Sequence, residues 1–315
     1  MNPDAVEFLK QFGDIIGDNI SWITTGYVSF LAFSHRKKLH RDYKVLKGEY
    51  VAKEKDITDV VDIEPREHLY TSSDIEKLSN NKFYNYIVEF TDFLEFNFSE
   101  ELLQNYYKNI SKAKVDDSKL FNKLEMKVNS HSATYSSFEN KIVLRQESSI
   151  YHELFHLAST YNEDFVGFYQ NNMGLAINEG YTELMAHRYF PNRRGIGYYD
   201  QVEIVKVLDK LIGQKKMEEL YLTNNLKGLI EELNKYASLE DIQKFITNSD
   251  YILMVKYSTN NKIVRKLLSD KSKDKMAIRI NNAAAEIDEF LLTCLKNKLY
   301  LDDELDIGFQ YKKMY

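Results

Sequence analysis

Apolar residues recur every three or four positions along most of the chain, the spacing that places them on one face of an α-helix. Only 3 prolines and 12 glycines interrupt the 315 residues, so long helices should dominate. Ser99 and Ser238 stand where N-terminal caps are expected, each just before such a pattern. The clearest helical stretches are residues 83–90, 102–107, 202–212 and 226–236.

The middle of the chain has a different pattern. Residues 124–128 alternate between apolar and polar side chains, as a strand does, and residues 132–136 and 141–145 predict a hairpin around a turn at 137–140. Pro191 should stop the helix before it and begins a linker. The predicted fold class is therefore α+β and predominantly α-helical. A mainly helical region at 1–121 and a helical lobe at 192–315 flank a core at 122–191.

One helical segment of this core, His152-Glu153-Leu154-Phe155-His156, carries candidate chemistry. Residues four apart on a helix differ by about 400° of rotation and about 6 Å of rise, so the two histidines can converge on one ion. Glu153 lies beside them, where it can take a proton from a metal-bound water. An amphipathic helix with ordinary histidines is the alternative.

A catalytic zinc site needs a third protein ligand and leaves its fourth position to water. Glu179 is the candidate, because residues 175–183 predict a second helix that carries Glu179 and Glu183 four positions apart. Glu183 suits a different role, which is to accept the other ring N–H of a ligating histidine. His187 follows on the same helix face, so geometry alone leaves Glu183 and His187 as alternatives for the third ligand.

A helix with the pattern HExxH, followed by a helix with Asn178-Glu179 and an acidic residue at 183, resembles the gluzincins, the thermolysin-like zinc metallopeptidases. The resemblance covers about residues 122–190. It implies a zincin-like core of a small sheet and two helices, zinc bound by His152, His156 and Glu179, and Glu183 orienting a histidine. It also implies that an extended substrate lies along an edge strand of the hairpin. Residues 157–161 do not continue into a third-histidine motif of the metzincin type.

Gluzincins commonly add a tyrosine or histidine that donates a hydrogen bond to the carbonyl oxygen in the transition state. The chain has 23 tyrosines, so this choice is poorly constrained. Tyr169 lies between the two predicted helices and is the candidate donor, with Tyr198 and Tyr199 as alternatives just after the second helix.

Composition limits the partners. A net charge of −6 gives no electrostatic footprint for nucleic acid, and the single cysteine, Cys294, excludes an internal disulfide and a cysteine-based zinc site. The charge-free run at residues 20–34 is shorter than the roughly 20 apolar residues that a membrane span needs. Acidic residues open the chain where a secretory signal would be basic, so a cytoplasmic location is predicted.

The predicted function is hydrolysis of a peptide bond in a peptide or protein substrate by zinc-activated water, with Glu153 as general base. Endopeptidase and aminopeptidase activity both remain open, as does the oligomeric state. The alternative is a non-catalytic helical interaction protein with a structural or relic zinc site. A third possibility, a membrane-tethered peptidase, depends on residues 20–34.

Overall fold

The computed structural model describes residues 56–62, 83–116, 133–144, 146–191, 197–260 and 270–299, and most of these residues are helical. The helices are α1 (Tyr84–Asn97), α2 (Gln104–Ile110), α3 (Ile150–Ala158), α4 (Leu175–Tyr189), α5 (Tyr199–Ile212), α6 (Gln214–Leu222), α7 (Leu226–Leu233), α8 (Leu239–Asn260) and α9 (Asp270–Leu299); the strands are β1 (Lys114–Asp116), β2 (Ala133–Ser136), β3 (Lys141–Leu144), β4 (Thr160–Asn162), β5 (Phe165–Val166) and β6 (Tyr169–Gln170). The prediction of a mainly helical α+β chain is confirmed. The strand predicted at 124–128 and the apolar run at 20–34 lie outside the described residues.

The chain divides into two compact units. The larger comprises Glu54–Leu253 and Arg279–Tyr315 and contains all of the described strands. In the smaller, Met1–Lys53 with Met254–Ile278, the described residues are the end of α8 and the start of α9. The boundaries predicted at 121–122 and 191–192 adjoin residues outside the description, so that division stays a prediction. Of the helices described, none has both the length and the apolar character that crossing a bilayer requires.

The predicted hairpin is confirmed and belongs to a three-stranded sheet. β2 and β3 pair antiparallel, with Tyr135 opposite Ile142. β1 adds a strand that the sequence pattern did not indicate, parallel to β3 on its other side. Ile142 and Leu144 are buried, and β2 packs against α3. The sheet therefore supports the helix that carries the two histidines.

Aromatic packing fixes α3 from another side. All of its residues are buried, and Phe155 meets Phe90 of α1 edge-on with ring centroids 4.8 Å apart. Tyr151 stacks on Phe190 at 3.9 Å, which ties the start of α3 to the end of α4. At the C-terminus of α3, the side-chain amide of Asn109 donates to the carbonyl oxygens of Leu157 and Thr160. The helix is thus held along its length and at its end.

A small antiparallel sheet, β4–β5–β6, connects α3 to α4. The N-terminus of α4 is capped from a distance, because Asp250 of α8 accepts the backbone N–H groups of Gly174 and Ala176 at 2.8 and 2.7 Å. α4 packs closely on α5 at Gly180, where a Cβ would lie 2.5 Å from the carbonyl oxygen of Gln201. The helix ends at Tyr189, two residues before Pro191, as predicted.

Candidate metal centre

His152, His156 and Glu179 converge between α3 and α4. The Nε2 atoms of the two histidines lie 3.1 Å apart. Oε2 of Glu179 lies 3.4 Å from Nε2 of His152 and 3.6 Å from Nε2 of His156. The three side chains predicted as ligands therefore present one donor atom each to a common point.

The size of this triangle can be compared with the size that zinc requires. Zinc in proteins binds histidine nitrogen and carboxylate oxygen at about 2.0–2.2 Å, usually with tetrahedral geometry, so any two donor atoms lie about 3.3–3.4 Å apart. The observed separations of 3.1, 3.4 and 3.6 Å bracket that value. Two imidazoles and one carboxylate also match the ligand types and the number that catalytic zinc sites use. The residues present fit a zinc ion.

The three ligand side chains differ in their access to solvent. The exposed fraction of the side chain is 4% for His152, 8% for His156 and 14% for Glu179. Solvent therefore reaches the cluster mainly at Glu179.

Glu183 supports His152. Its Oε2 atom lies 2.8 Å from Nδ1 of His152, and its Oε1 atom accepts the backbone N–H of Gly197. A carboxylate only accepts hydrogen bonds, so the proton of a neutral His152 ring sits on Nδ1 and leaves Nε2 free for an ion. Glu183 thus has the contact that its predicted role requires, and it is itself buried.

Tyr198 covers the ring of His152. The two rings are nearly parallel, at 15°, with centroids 5.5 Å apart. Tyr198 is at the N-cap of α5 and has φ of +46°, a left-handed conformation that a bulky residue rarely adopts. Strain of this kind persists where the surroundings enforce it, and here it brings the tyrosine onto a candidate ligand.

The electrostatics of the cluster favour a positive charge. Burial lowers the pKa of His152, but hydrogen bonds to Glu179 and Glu183 and the nearby charge of Glu153 raise it to about 10. Burial raises the pKa of Glu179, yet the two histidines hold it well below its usual range. In the absence of an ion, the site therefore keeps a proton on His152 at neutral pH, and a metal cation would take the place of that proton.

His156 has neutral partners. Its Nδ1 atom lies 3.4 Å from Nδ2 of Asn178 and 3.4 Å from Oγ1 of Thr182. The hydroxyl oxygen of Thr182 is in turn 2.6 Å from the hydroxyl oxygen of Tyr221 on α6. Thr182 and Tyr221 did not emerge from the sequence. Thr182 follows Asn178 by one helical turn, which is a usable signal, but nothing local distinguishes Tyr221 from the other tyrosines.

The remaining predicted residues take separate places. Glu153 is buried on α3, where its charge acts on His152. Tyr169 is on β6 and donates its hydroxyl to Oδ1 of Asn172 at 2.8 Å, while Tyr199 is exposed. His187 is half-buried one turn beyond Glu183 and does not belong to the cluster of donors. The geometry therefore selects Glu179 over Glu183 and His187 as the third member.

No family model matches the chain, and comparisons with curated proteins and with solved structures found no significant similarity.

Proposed function

We propose that the protein is a zinc-dependent peptidase in which His152, His156 and Glu179 hold the ion. The observation that carries this proposal is the triangle of donor atoms, whose edges of 3.1 to 3.6 Å suit zinc. The arrangement around it supports the proposal. A small sheet packs on the HExxH helix, and a second helix brings Glu179, which agrees with the core that the resemblance to gluzincins implies.

Zinc bound at this site would supply a Lewis acid that polarises a carbonyl group and makes a water molecule more acidic. Glu153 acts as the general base and takes one proton from the attacking water. The water oxygen forms a bond to the carbonyl carbon, and the carbon–nitrogen bond then breaks. Glu153 delivers the proton to the leaving amine. Glu183 keeps the His152 ring in the orientation and tautomer that a ligand needs.

The edge of the first sheet is the proposed place for the substrate. β2 packs on α3 and pairs with β3 along one edge. Among the described residues, no strand pairs with β2 along its other edge. An extended peptide can add to such an edge through its backbone hydrogen bonds, with side chains alternating in direction. An extended peptide or an unfolded protein segment is therefore the proposed substrate.

The donor to the carbonyl oxygen stays a prediction for Tyr169, whose hydroxyl contacts Asn172. Tyr198 is the competing candidate, because its ring contacts His152. The variants Tyr169→Phe and Tyr198→Phe separate the two. Loss of an oxyanion donor lowers kcat by about 10²–10³-fold and should leave the zinc content unchanged.

The test begins with zinc content. Wild type, Glu179→Ala and, as a matched control at an exposed position, Glu163→Ala are dialysed against metal-free buffer and measured by elemental mass spectrometry. We expect one zinc per chain in wild type and in the control, and none in Glu179→Ala. Iron instead of zinc, or equal zinc in Glu179→Ala, would contradict the assignment of the site.

Activity is tested with a library of quenched fluorescent peptides. Glu153→Gln should keep the zinc and lose turnover, because the amide cannot take the proton from water. The alternative function, a helical interaction protein with a structural zinc, predicts one zinc per chain and no turnover in wild type. Turnover that persists at the wild-type rate in Glu153→Gln would remove Glu153 from its role.

A further inference from the structure

The two motif histidines differ in what lies beside their Nδ1 atoms. Nε2 of His156 faces the cluster, at 3.1 Å from Nε2 of His152 and 3.6 Å from Oε2 of Glu179. A histidine that binds an ion through Nε2 carries its proton on Nδ1 and needs an acceptor there. His156 is buried, so an Nδ1–H without an acceptor would be costly.

Asn178 lies close to this nitrogen but cannot accept the proton. Its Oδ1 atom already accepts the backbone N–H of Phe168 at 3.1 Å. The amide NH₂ therefore points toward His156, 3.4 Å from Nδ1, and an amide NH₂ group is a donor only. Turning the amide round would place its NH₂ group against the N–H of Phe168, so the observed orientation is the one that the hydrogen bonds support.

Thr182 has a free acceptor position in the same place. Its hydroxyl donates its single proton to the carbonyl oxygen of Asn178 at 2.7 Å, one turn earlier on α4. Because that proton is used, we assign the Tyr221 hydroxyl as the donor of the bond between the two hydroxyl groups, whose oxygens lie 2.6 Å apart. A hydroxyl oxygen has two lone pairs, and Tyr221 occupies one. The other is available to Nδ1–H of His156, 3.4 Å away.

Tyr221 is firmly placed for this role. It lies on α6, is fully buried, and packs edge-on against Phe168 with ring centroids 5.6 Å apart. Its ring passes Gly167, which has φ of +53°, and a Cβ there would lie 2.5 Å from Cε2 of the tyrosine. The close approach at Gly167 lets the ring reach Thr182.

We propose that Thr182, with its hydroxyl oriented by Tyr221, is the positioning residue for His156 and accepts its Nδ1–H when Nε2 binds the ion. This inference rests on the proposed zinc site. It assigns the two motif histidines to different supports, a carboxylate for His152 and a threonine hydroxyl for His156.

The chain offers a matched control. Thr91 on α1 has the same pair of bonds, donating to the carbonyl oxygen of Ile87 at 2.7 Å and lying 2.5 Å from the hydroxyl oxygen of Tyr106. Both residues are buried, and the donor cluster does not include them. The variants Thr91→Val and Tyr106→Phe therefore report the cost of losing a buried threonine–tyrosine pair alone.

The experiment measures the zinc dissociation constant of the full chain by competition with a chelator for Thr182→Val, Thr182→Ser, Tyr221→Phe and the two controls. Removing the hydroxyl in Thr182→Val should weaken zinc binding about 10- to 100-fold, as loss of such a partner of a metal ligand does. Thr182→Ser should restore most of the affinity, Tyr221→Phe should lose less than Thr182→Val, and both controls should stay within about twofold of wild type.

The Nδ1–H proton of His156, observed by NMR in the zinc-loaded protein, is the second measurement. Its resonance should shift and exchange faster with water in Thr182→Val, and not in Thr91→Val. Wild-type affinity together with an unchanged resonance in Thr182→Val overturns the inference, as does an equal loss of affinity in Thr91→Val. If wild type binds no zinc at all, the proposed function fails instead. Tyr221→Phe keeps the test decisive if Thr182→Val does not fold.

Discussion

His152 and His156 lie one turn apart on α3, yet their rings are held by different chemistry. A buried carboxylate contacts Nδ1 of His152 at 2.8 Å, whereas a hydroxyl and an amide contact Nδ1 of His156 at 3.4 Å. A carboxylate makes a histidine more basic as well as orienting it, whereas a neutral hydroxyl mainly orients it. The raised pKa of His152, about 10 because hydrogen bonds to Glu179 and Glu183 outweigh burial, agrees with this division.

The difference lies in the number of carboxylates at each ring. Glu179 contacts both rings, at 3.4 Å from Nε2 of His152 and 3.6 Å from Nε2 of His156, and Glu183 adds a second carboxylate at His152. His152 therefore lies between two carboxylates, whereas the Nδ1 atom of His156 faces a neutral hydroxyl and a neutral amide.

Glu183→Gln removes the charge that distinguishes the two supports and should have the largest effect on zinc affinity. In the wild type, Glu183 accepts the backbone N–H of Gly197 through its second oxygen atom. In the variant, the amide oxygen can accept the Nδ1–H of His152, but the NH₂ group then faces the N–H of Gly197, and two donors oppose each other. We expect zinc binding to weaken about 100-fold, at the upper end of the range for a ligand's hydrogen-bond partner, and more than in Thr182→Val. Chelator competition measures both variants. Equal losses in the two variants would mean that charge is not what distinguishes the two supports.

The dependence of zinc affinity on pH should give the next largest effect. Zinc must displace the proton of His152, whose pKa is about 10 because the contacts with Glu179 and Glu183 outweigh burial. Affinity should therefore rise about tenfold for each unit of pH between 6 and 8, with about one proton released per ion. Calorimetry in two buffers of different ionisation enthalpy counts the protons. Glu183→Gln should reduce the count, and an affinity independent of pH would contradict this account.

The sequence predicted the parts of the site that depend on local spacing. The pairs His152 with His156 and Glu179 with Glu183 share helix faces because four residues make about one turn, whatever surrounds the helix. The hairpin of β2 and β3 was equally local, since alternation and a short turn define it. Such features follow from the backbone alone.

Two contacts that hold α4 and its side chains in place come from far along the chain and were missed. Tyr221 lies 39 residues from Thr182, and Asp250 lies 76 residues from Gly174. Neither residue stands out in its own helix, because its role arises only when α4 packs beside α6 and α8. The parallel pairing of β1 with β3 was also missed, because no short turn joins two parallel strands and marks them as partners in the sequence.

The two helices of the centre are also capped differently, and Asp250→Asn tests that difference. Neutral Asn109 caps α3, whereas Asp250 caps α4. Burial raises the pKa of Asp250 to about 7, against the lowering effect of its two N–H donors. A carboxyl whose folded pKa is raised stabilises the fold fully below its unfolded value of 3.8 and loses that contribution as pH rises through about 7. The loss is about 1.4 kcal/mol per pH unit.

Asp250→Asn cannot titrate, so its unfolding free energy should fall less than that of wild type between pH 5 and 7. Urea denaturation at several pH values measures the difference. Asp164→Asn, at an exposed carboxyl, is the control and should follow the wild-type profile. Parallel profiles for wild type and Asp250→Asn would show that the buried carboxyl does not set the dependence on pH.

Variants of Tyr198 should have the smallest effect on zinc affinity. They distinguish the role of its ring from the role of its hydroxyl group. Its ring stacks on His152 at 5.5 Å, and its φ of +46° is one that asparagine tolerates better than tyrosine. Tyr198→Phe keeps the ring and should leave zinc affinity within about twofold, whereas Tyr198→Asn keeps the backbone and should weaken it about 2- to 10-fold, the worth of an aromatic contact. Chelator competition measures both, and equal affinities in the two variants would show that stacking does not hold His152.

The hydroxyl of Tyr198 is tested by turnover. A fall in kcat in Tyr198→Phe at unchanged zinc affinity would show that this hydroxyl donates to the carbonyl oxygen of the substrate, because only that step needs a donor.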